Sequence, residues 1–157
     1  EQLVFGQSAR NATGPGPLEW CIAGATEKDN CCFIEWCELA GLTTAADGSP
    51  YFAPVTHFVS HAWHASFPQL VSTLELYAAG GDVGFFLDIF AINQHVPPWR
   101  EDPPMKHGDV LGPSIAACGR TVLVLHPWEK PMSFTRAWCL FEIMTTLEKR
   151  ATLDVAL

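Results

Sequence analysis

Hydrophobic positions along this chain follow two different periods, and the switching between them sets out its elements. From Val55 onward, short apolar runs alternate with stretches in which apolar residues recur every three or four positions. The runs are Val55–Ser60, Val83–Phe90, Arg120–Leu125 and Ala151–Leu157. All have strand length: Val55–Ser60 is rich in β-formers, Val83–Phe90 is the near-continuous apolar run of a buried parallel strand, Arg120–Leu125 reads as a third buried strand, and Ala151–Leu157 as the beginning of a fourth. Between the first two, Ser66 is a candidate helix cap. Phe67, Leu70, Val71, Leu74, Tyr77 and Ala78 then keep the helical period until Gly80-Gly81 ends it. Asn93–Pro113 reads as a long irregular loop rich in proline, of a kind that is usually functional. Ser114–Cys118 reads as a short helix stopped by Gly119. Ser133–Lys149 reads as a long helix whose stripe of Leu140, Ile143, Met144 and Leu147 is expected to face the core. The order βαβαβαβ predicts an α/β domain, with a mainly parallel sheet and helices on both faces.

Residues 1–50 have a different texture. Leu3–Phe5 is a short apolar run, and Asn11–Pro17 is a loop broken by glycine and proline. Asp29–Ala40 predicts a helix capped by Asp29 or Asn30, with Phe33, Trp36, Cys37 and Ala40 on one face and Gly41 as its stop. Thr43–Pro54 reads as a linker. The expected organisation is an N-terminal extension over 1–50, containing a helix, and a main domain over 51–157.

Charge and composition narrow the function classes. The 157 residues carry nine basic and 17 acidic side chains, a formal charge of −8, which argues against binding a nucleic-acid backbone. No apolar run approaches the ~20 residues of a membrane span. The six cysteines, several of them in apolar helix-like segments, read as free thiols of a reducing, cytoplasmic compartment. Cys31, Cys32 and Cys37 lack the partners of a zinc set, so no metal is expected. The chain opens on Glu1 with no leader-like segment, and a portion of a longer protein is expected.

In parallel sheets ligands bind beyond the carboxyl ends of the strands. There the first strand delivers His61, Trp63 and His64, the second Asp88 and His95, and the third His126 and Trp128. The long helix starts just after the third strand. Its Trp138 and Glu142, four residues apart, share a face nearly opposite the apolar stripe. No cation stands three or four residues from Glu142 on the helix. The pair fits a ligand surface, and it equally fits a solvated glutamate beside a docked tryptophan. The histidine spacing follows no metal motif such as HEXXH, no G-x-S-x-G elbow presents a serine, and no phosphate-binding glycine loop occurs. A carboxylate beside a stacking aromatic suits a reaction in which positive charge develops. Cleavage of an N-glycosidic bond, with its oxocarbenium-like ribose and flat leaving group, is one.

Taken in order, these segments resemble the TIR (Toll/interleukin-1 receptor) domain family in a divergent form. His57-Phe58-Val59-Ser60-His61 is similar to the first-strand motif, Phe67–Tyr77 to the first helix, and Phe86-Leu87-Asp88 to the second strand. Asn93–Pro113 stands where the BB loop would. Ala137-Trp138-Cys139-Leu140-Phe141-Glu142-Ile143 is close to the W-x-x-x-E box, the most specific of these motifs. The resemblance implies a flavodoxin-like three-layer sandwich. It also implies NAD as a substrate rather than a resident cofactor, cleaved to nicotinamide and ADP-ribose or a cyclic variant. Glu142 would be catalytic, and Trp138, His61, Trp63, Asp88 and His126 would bind substrate. Self-association would complete the site. The alternative within the family is a non-catalytic signalling scaffold that self-associates. The chain departs from the pattern at Ala62-Trp63, where basic or tyrosine residues are common. It departs again at His126, where the family has serine, and in the proline-rich BB loop.

Overall fold

The computed structural model describes residues 17–95 and 107–157. The Leu3–Phe5 run, positions 11–16 of the first predicted loop and positions 96–106 of the long loop lie outside the described residues. In chain order the elements are α1 (Pro17–Thr26), α2 (Phe33–Leu39), β1 (His57–Ser60), α3 (Phe67–Tyr77), β2 (Phe85–Phe86), α4 (Asp88–Ala91), α5 (His107–Cys118), β3 (Arg120–Val124), α6 (Ala137–Glu148) and β4 (Thr152–Ala156). A 3-10 turn, Met132–Thr135, precedes α6. Packing separates the chain into two units, Glu1–Ala53 with Asp88–Pro97, and Pro54–Leu87 with Pro98–Leu157.

In the first unit α1, α2 and α4 pack together. The pattern reading did not foresee α1. Among its described side chains, Ile22 and Thr26, one turn apart, are buried. The Thr26 hydroxyl donates to the Ile22 carbonyl and also meets His95 Nε2, each at 2.8 Å. A hydroxyl has one proton, so His95 Nε2–H is the donor in the second contact. The second helix starts at Phe33 rather than Asp29, because Asn30 adopts a left-handed backbone with φ 48° and ends the preceding turn. Cys32 is the cap instead. Its Sγ accepts from Glu35 N–H while the Glu35 carboxylate accepts from Cys32 N–H, a capping box built on a thiol. Phe33 stacks on Trp36 and meets Phe90, with ring centroids 5.6 and 5.5 Å apart. Burial pushes the Cys32 and Cys37 thiols up, which keeps them protonated. All six cysteines are free.

The second unit is a four-stranded sheet of order β2-β1-β3-β4, parallel throughout, as the alternation predicts. It is an α/β flavodoxin-like fold. Register partners share a face. Val59, Val122, Val124 and Ala156 pack under Leu70 and Leu74 of α3, with Phe67, Tyr77, Phe85 and Leu87 around them. Phe58, Ser60, Thr121 and Leu123 face the other way, and α5 and α6 cover β1 and β3. Among the described residues, no helix is long and apolar enough to cross a membrane.

Two element boundaries differ from the pattern reading. The expected strand Val83–Phe90 shrinks to Phe85–Phe86, because Asp88 opens α4 with its Oδ1 accepting from Ile89 N–H at 2.8 Å. The expected short helix Ser114–Cys118 begins at His107, and Pro113 sits inside it. An interior proline removes one helical hydrogen bond, and here the helix continues past it to Cys118.

Gly84 illustrates a backbone requirement. A Cβ there would lie 2.0 Å from the Pro54 carbonyl oxygen. The approach is tight because Gly84 O accepts from Thr56 N–H and His57 N–H, at 2.8 and 3.0 Å, seating β2 beside β1. Gly84→Ala is expected to cost about 1–3 kcal/mol through overpacking. An unchanged midpoint in urea unfolding would refute the close approach.

At the amino ends of β1 and β3, Tyr77 Oη and Arg120 Nη1 both donate to Asp154 Oδ2, at 2.5 and 2.6 Å, beside the edge-on His57 ring. Burial lowers the His57 pKa and the Arg120 charge lowers it further, with Asp154 opposing. The Tyr77 hydrogen bond lowers Asp154, and Arg120 adds to it against burial. In both cases the unfolded chain binds more protons, so stability falls with falling pH. A first loss is expected as pH drops from the ordinary histidine value of 6.5 toward the lowered folded value. A second follows as pH drops below the ordinary carboxylate value of 3.8. Urea midpoints measured against pH should lose the first step in His57→Gln and the second in Asp154→Asn.

Candidate functional site

The segment after β3 sets the entry of α6. The Ser133 hydroxyl, fully buried, donates to the Val124 carbonyl at 2.7 Å and ties the 3-10 turn to the end of the sheet. Arg136, in extended conformation, precedes the first turn of α6. The helix then presents Cys139, Glu142, Thr145 and Thr146 to the interior.

This corrects the sequence expectation. Leu140, Met144 and Leu147 are 44, 59 and 62% exposed, whereas Glu142 is 4% exposed. Of the expected stripe, Leu140, Met144 and Leu147 point outward and Ile143 is half-buried, while the carboxylate points at the sheet. The reason lies in the strands. Ser60 and Thr121 are fully buried on this face and their hydroxyls need partners, which an aliphatic stripe cannot supply. The polar face of α6 supplies them. Ser60 Oγ donates to Glu142 Oε2 at 2.5 Å, a separation typical of a hydroxyl donating to a carboxylate. Thr146 Oγ1 donates to the Glu142 carbonyl at 2.7 Å and lies 2.8 Å from Thr121 Oγ1. The one proton of Thr146 is used, so Thr121 is the donor between them. Cys139 Sγ donates to the His61 carbonyl at 3.4 Å. Three successive turns of α6 are therefore fastened to β1, to the residue after it and to β3. The apolar part of the same layer comes from α5, through Leu111 and Ile115, beside Phe58 and Leu123.

Ser60 is the last residue of β1, so Glu142 sits at the carboxyl end of that strand, where the fold places ligands. Trp138, one turn earlier on α6, is 40% exposed and meets Phe141 edge to face with centroids 6.4 Å apart. His61 and Trp63, in the loop leaving β1, are half-buried. His126 is turned elsewhere. Its Nε2 is 2.7 Å from Thr73 Oγ1 on α3, the helix on the opposite face of the sheet. Asp88 belongs to the first unit as the opening residue of α4 rather than the end of a strand. Ser60 was not foreseen as the partner of Glu142. Its signal was a serine closing an otherwise apolar strand on the face of Phe58. Among the described residues, no group of three or more His, Cys, Asp or Glu side chains is placed to hold a metal ion.

Sheet order and parallel pairing define the class: an α/β flavodoxin-like domain, here with a sheltered carboxylate at the carboxyl end of β1. No protein-family model matches the chain, and no curated protein and no solved structure matches it significantly.

Proposed function

We propose that the chain is a TIR-like NAD glycohydrolase with Glu142 as its catalytic carboxylate. The observation that carries this reading is the Glu142 side chain, held by Ser60 at the carboxyl end of β1, with half-exposed Trp138 one turn away. In the reaction the bond between ribose C1′ and the nicotinamide nitrogen breaks, and its electron pair leaves with nicotinamide. The ribose becomes oxocarbenium-like, water adds at C1′ and a proton is released. Glu142 stabilises the developing positive charge or holds the ribose hydroxyls, Trp138 stacks near the nicotinamide, and His61 and Trp63 shape the pocket. A carboxylate 4% exposed in the single chain is sheltered from substrate. The reading therefore includes opening of this edge when copies assemble. The test is nicotinamide release from NAD by the protein across a concentration series. Release rising more steeply than concentration is expected, and no release at the highest concentration would refute the reading.

One observation favours the second reading, a signalling scaffold without turnover. The outward stripe of Leu140, Met144 and Leu147 is an apolar helix surface of the kind that docks on a partner. Sedimentation showing self-association that persists in Glu142→Gln, with no NAD consumed, would select it. Localisation in the cytoplasm and the absence of a nucleic-acid partner belong to the same proposal, supported by the charge of −8 and the free thiols.

A further inference from the structure

We propose that Ser60 is a positioning residue of this site, a group that directs the orientation of the Glu142 carboxylate; its bearing on turnover rests on the glycohydrolase reading above. A glutamate side chain has three rotatable bonds, and holding it in one rotamer inside a protein needs directional contacts. Ser60 supplies one from within the sheet. It is fully buried at the end of β1, in register with Leu123 of β3. Its Oγ lies 2.5 Å from Glu142 Oε2. The helix that carries Glu142 is tied to the sheet on both sides of it, by Cys139 to the His61 carbonyl and by Thr146 to the Thr121 hydroxyl. The donor is neutral and has a single proton, so it can direct one carboxylate oxygen without bringing a charge of its own to the site. Ser60 touches no substrate in this scheme and acts only through Glu142.

A role in packing alone predicts a loss of stability in Ser60 variants. A positioning role also predicts a spectroscopic link and a kinetic split. The buried hydroxyl proton of Ser60 should give its own NMR resonance, and that resonance should move upfield in Glu142→Gln, where a neutral amide replaces the carboxylate. In steady-state NAD cleavage Ser60→Ala should lower kcat about 10- to 100-fold, as expected for loss of a hydrogen bond to a charged group, with KM within about twofold. Ser60→Thr, which keeps the hydroxyl, should recover most of that loss. A hydroxyl resonance that is absent, or unmoved by Glu142→Gln, overturns the proposal even if Ser60→Ala does not fold. Equal kcat in Ser60→Ala and wild type overturns it as well. Wild type that releases no nicotinamide while the resonance moves as expected overturns the glycohydrolase reading alone and supports the orientation of Glu142 by Ser60.

Discussion

Replacing Glu142 with glutamine is expected to lower nicotinamide release by about 10²- to 10³-fold, the loss typical of removing one electrostatic stabiliser of a charged transition state. Glutamine is the informative substitution because of what surrounds the site. Its amide oxygen still accepts from Ser60, so the buried hydroxyl stays satisfied and α6 keeps its seat on β1. Alanine instead leaves the Ser60 hydroxyl buried without its acceptor, at a cost of about 1–3 kcal/mol. An alanine variant would therefore confound lost chemistry with a loosened helix. Wild-type-like melting of Glu142→Gln together with lost turnover assigns the effect to the charge. Turnover equal to wild type would mean that the carboxylate is only a hydrogen-bond acceptor in a polar layer.

The parts of the fold legible in the sequence were those where one physical signal acted alone. β1, β3 and β4 are apolar runs with clear stops. Gly119 sets the start of β3, and the left-handed Arg150 precedes β4. The apolar period of α3 is matched by burial of Leu70 and Leu74. Parallel order followed from the alternation of elements. The misses arose where two signals competed. Val83–Phe90 is apolar enough for a long strand, yet Asp88 offers its own side chain to the next backbone N–H and starts a helical turn. Pro113 reads as a breaker but sits within α5. Pro17 looked like the end of a loop and is the first residue of α1, a position proline favours.

The position of Glu142, the candidate catalytic residue, was legible in its end of the sheet and illegible in its facing. Chain order alone brings the start of α6 to the carboxyl edge, and Glu142 is there. Periodicity then separates a helix into faces without saying which of them is inside. The deciding information lies on other elements, in the buried hydroxyls of Ser60 and Thr121, and no reading of the helix by itself contains it. His126 was grouped with Glu142 because both follow strands at the same end. Thr73 on α3 draws its ring to the other face, a long-range hydrogen bond with no local trace.

The orientation of α6 has a direct energetic consequence. Leu123 is 3% exposed in β3, so Leu123→Ala is expected to cost about 2–5 kcal/mol. Met144→Ala and Leu140→Ala remove side chains that stand largely in solvent, so each should change stability by no more than about 0.5 kcal/mol. Alanine is also the better helix former, which favours the smaller figure. Judged by periodicity alone, all three residues would be core and all three substitutions would be severe. Urea unfolding of the purified variants tells the two arrangements apart. The outcome bears on the chemistry too, because residues two apart on a helix lie about 200° apart around its axis. If Met144→Ala proved as damaging as Leu123→Ala, α6 would have its stripe inward, Glu142 would be swung away from Ser60, and neither the positioning contact nor the sheltered carboxylate could exist. A mild Met144→Ala beside a severe Leu123→Ala is thus the stability result that the Glu142 site requires.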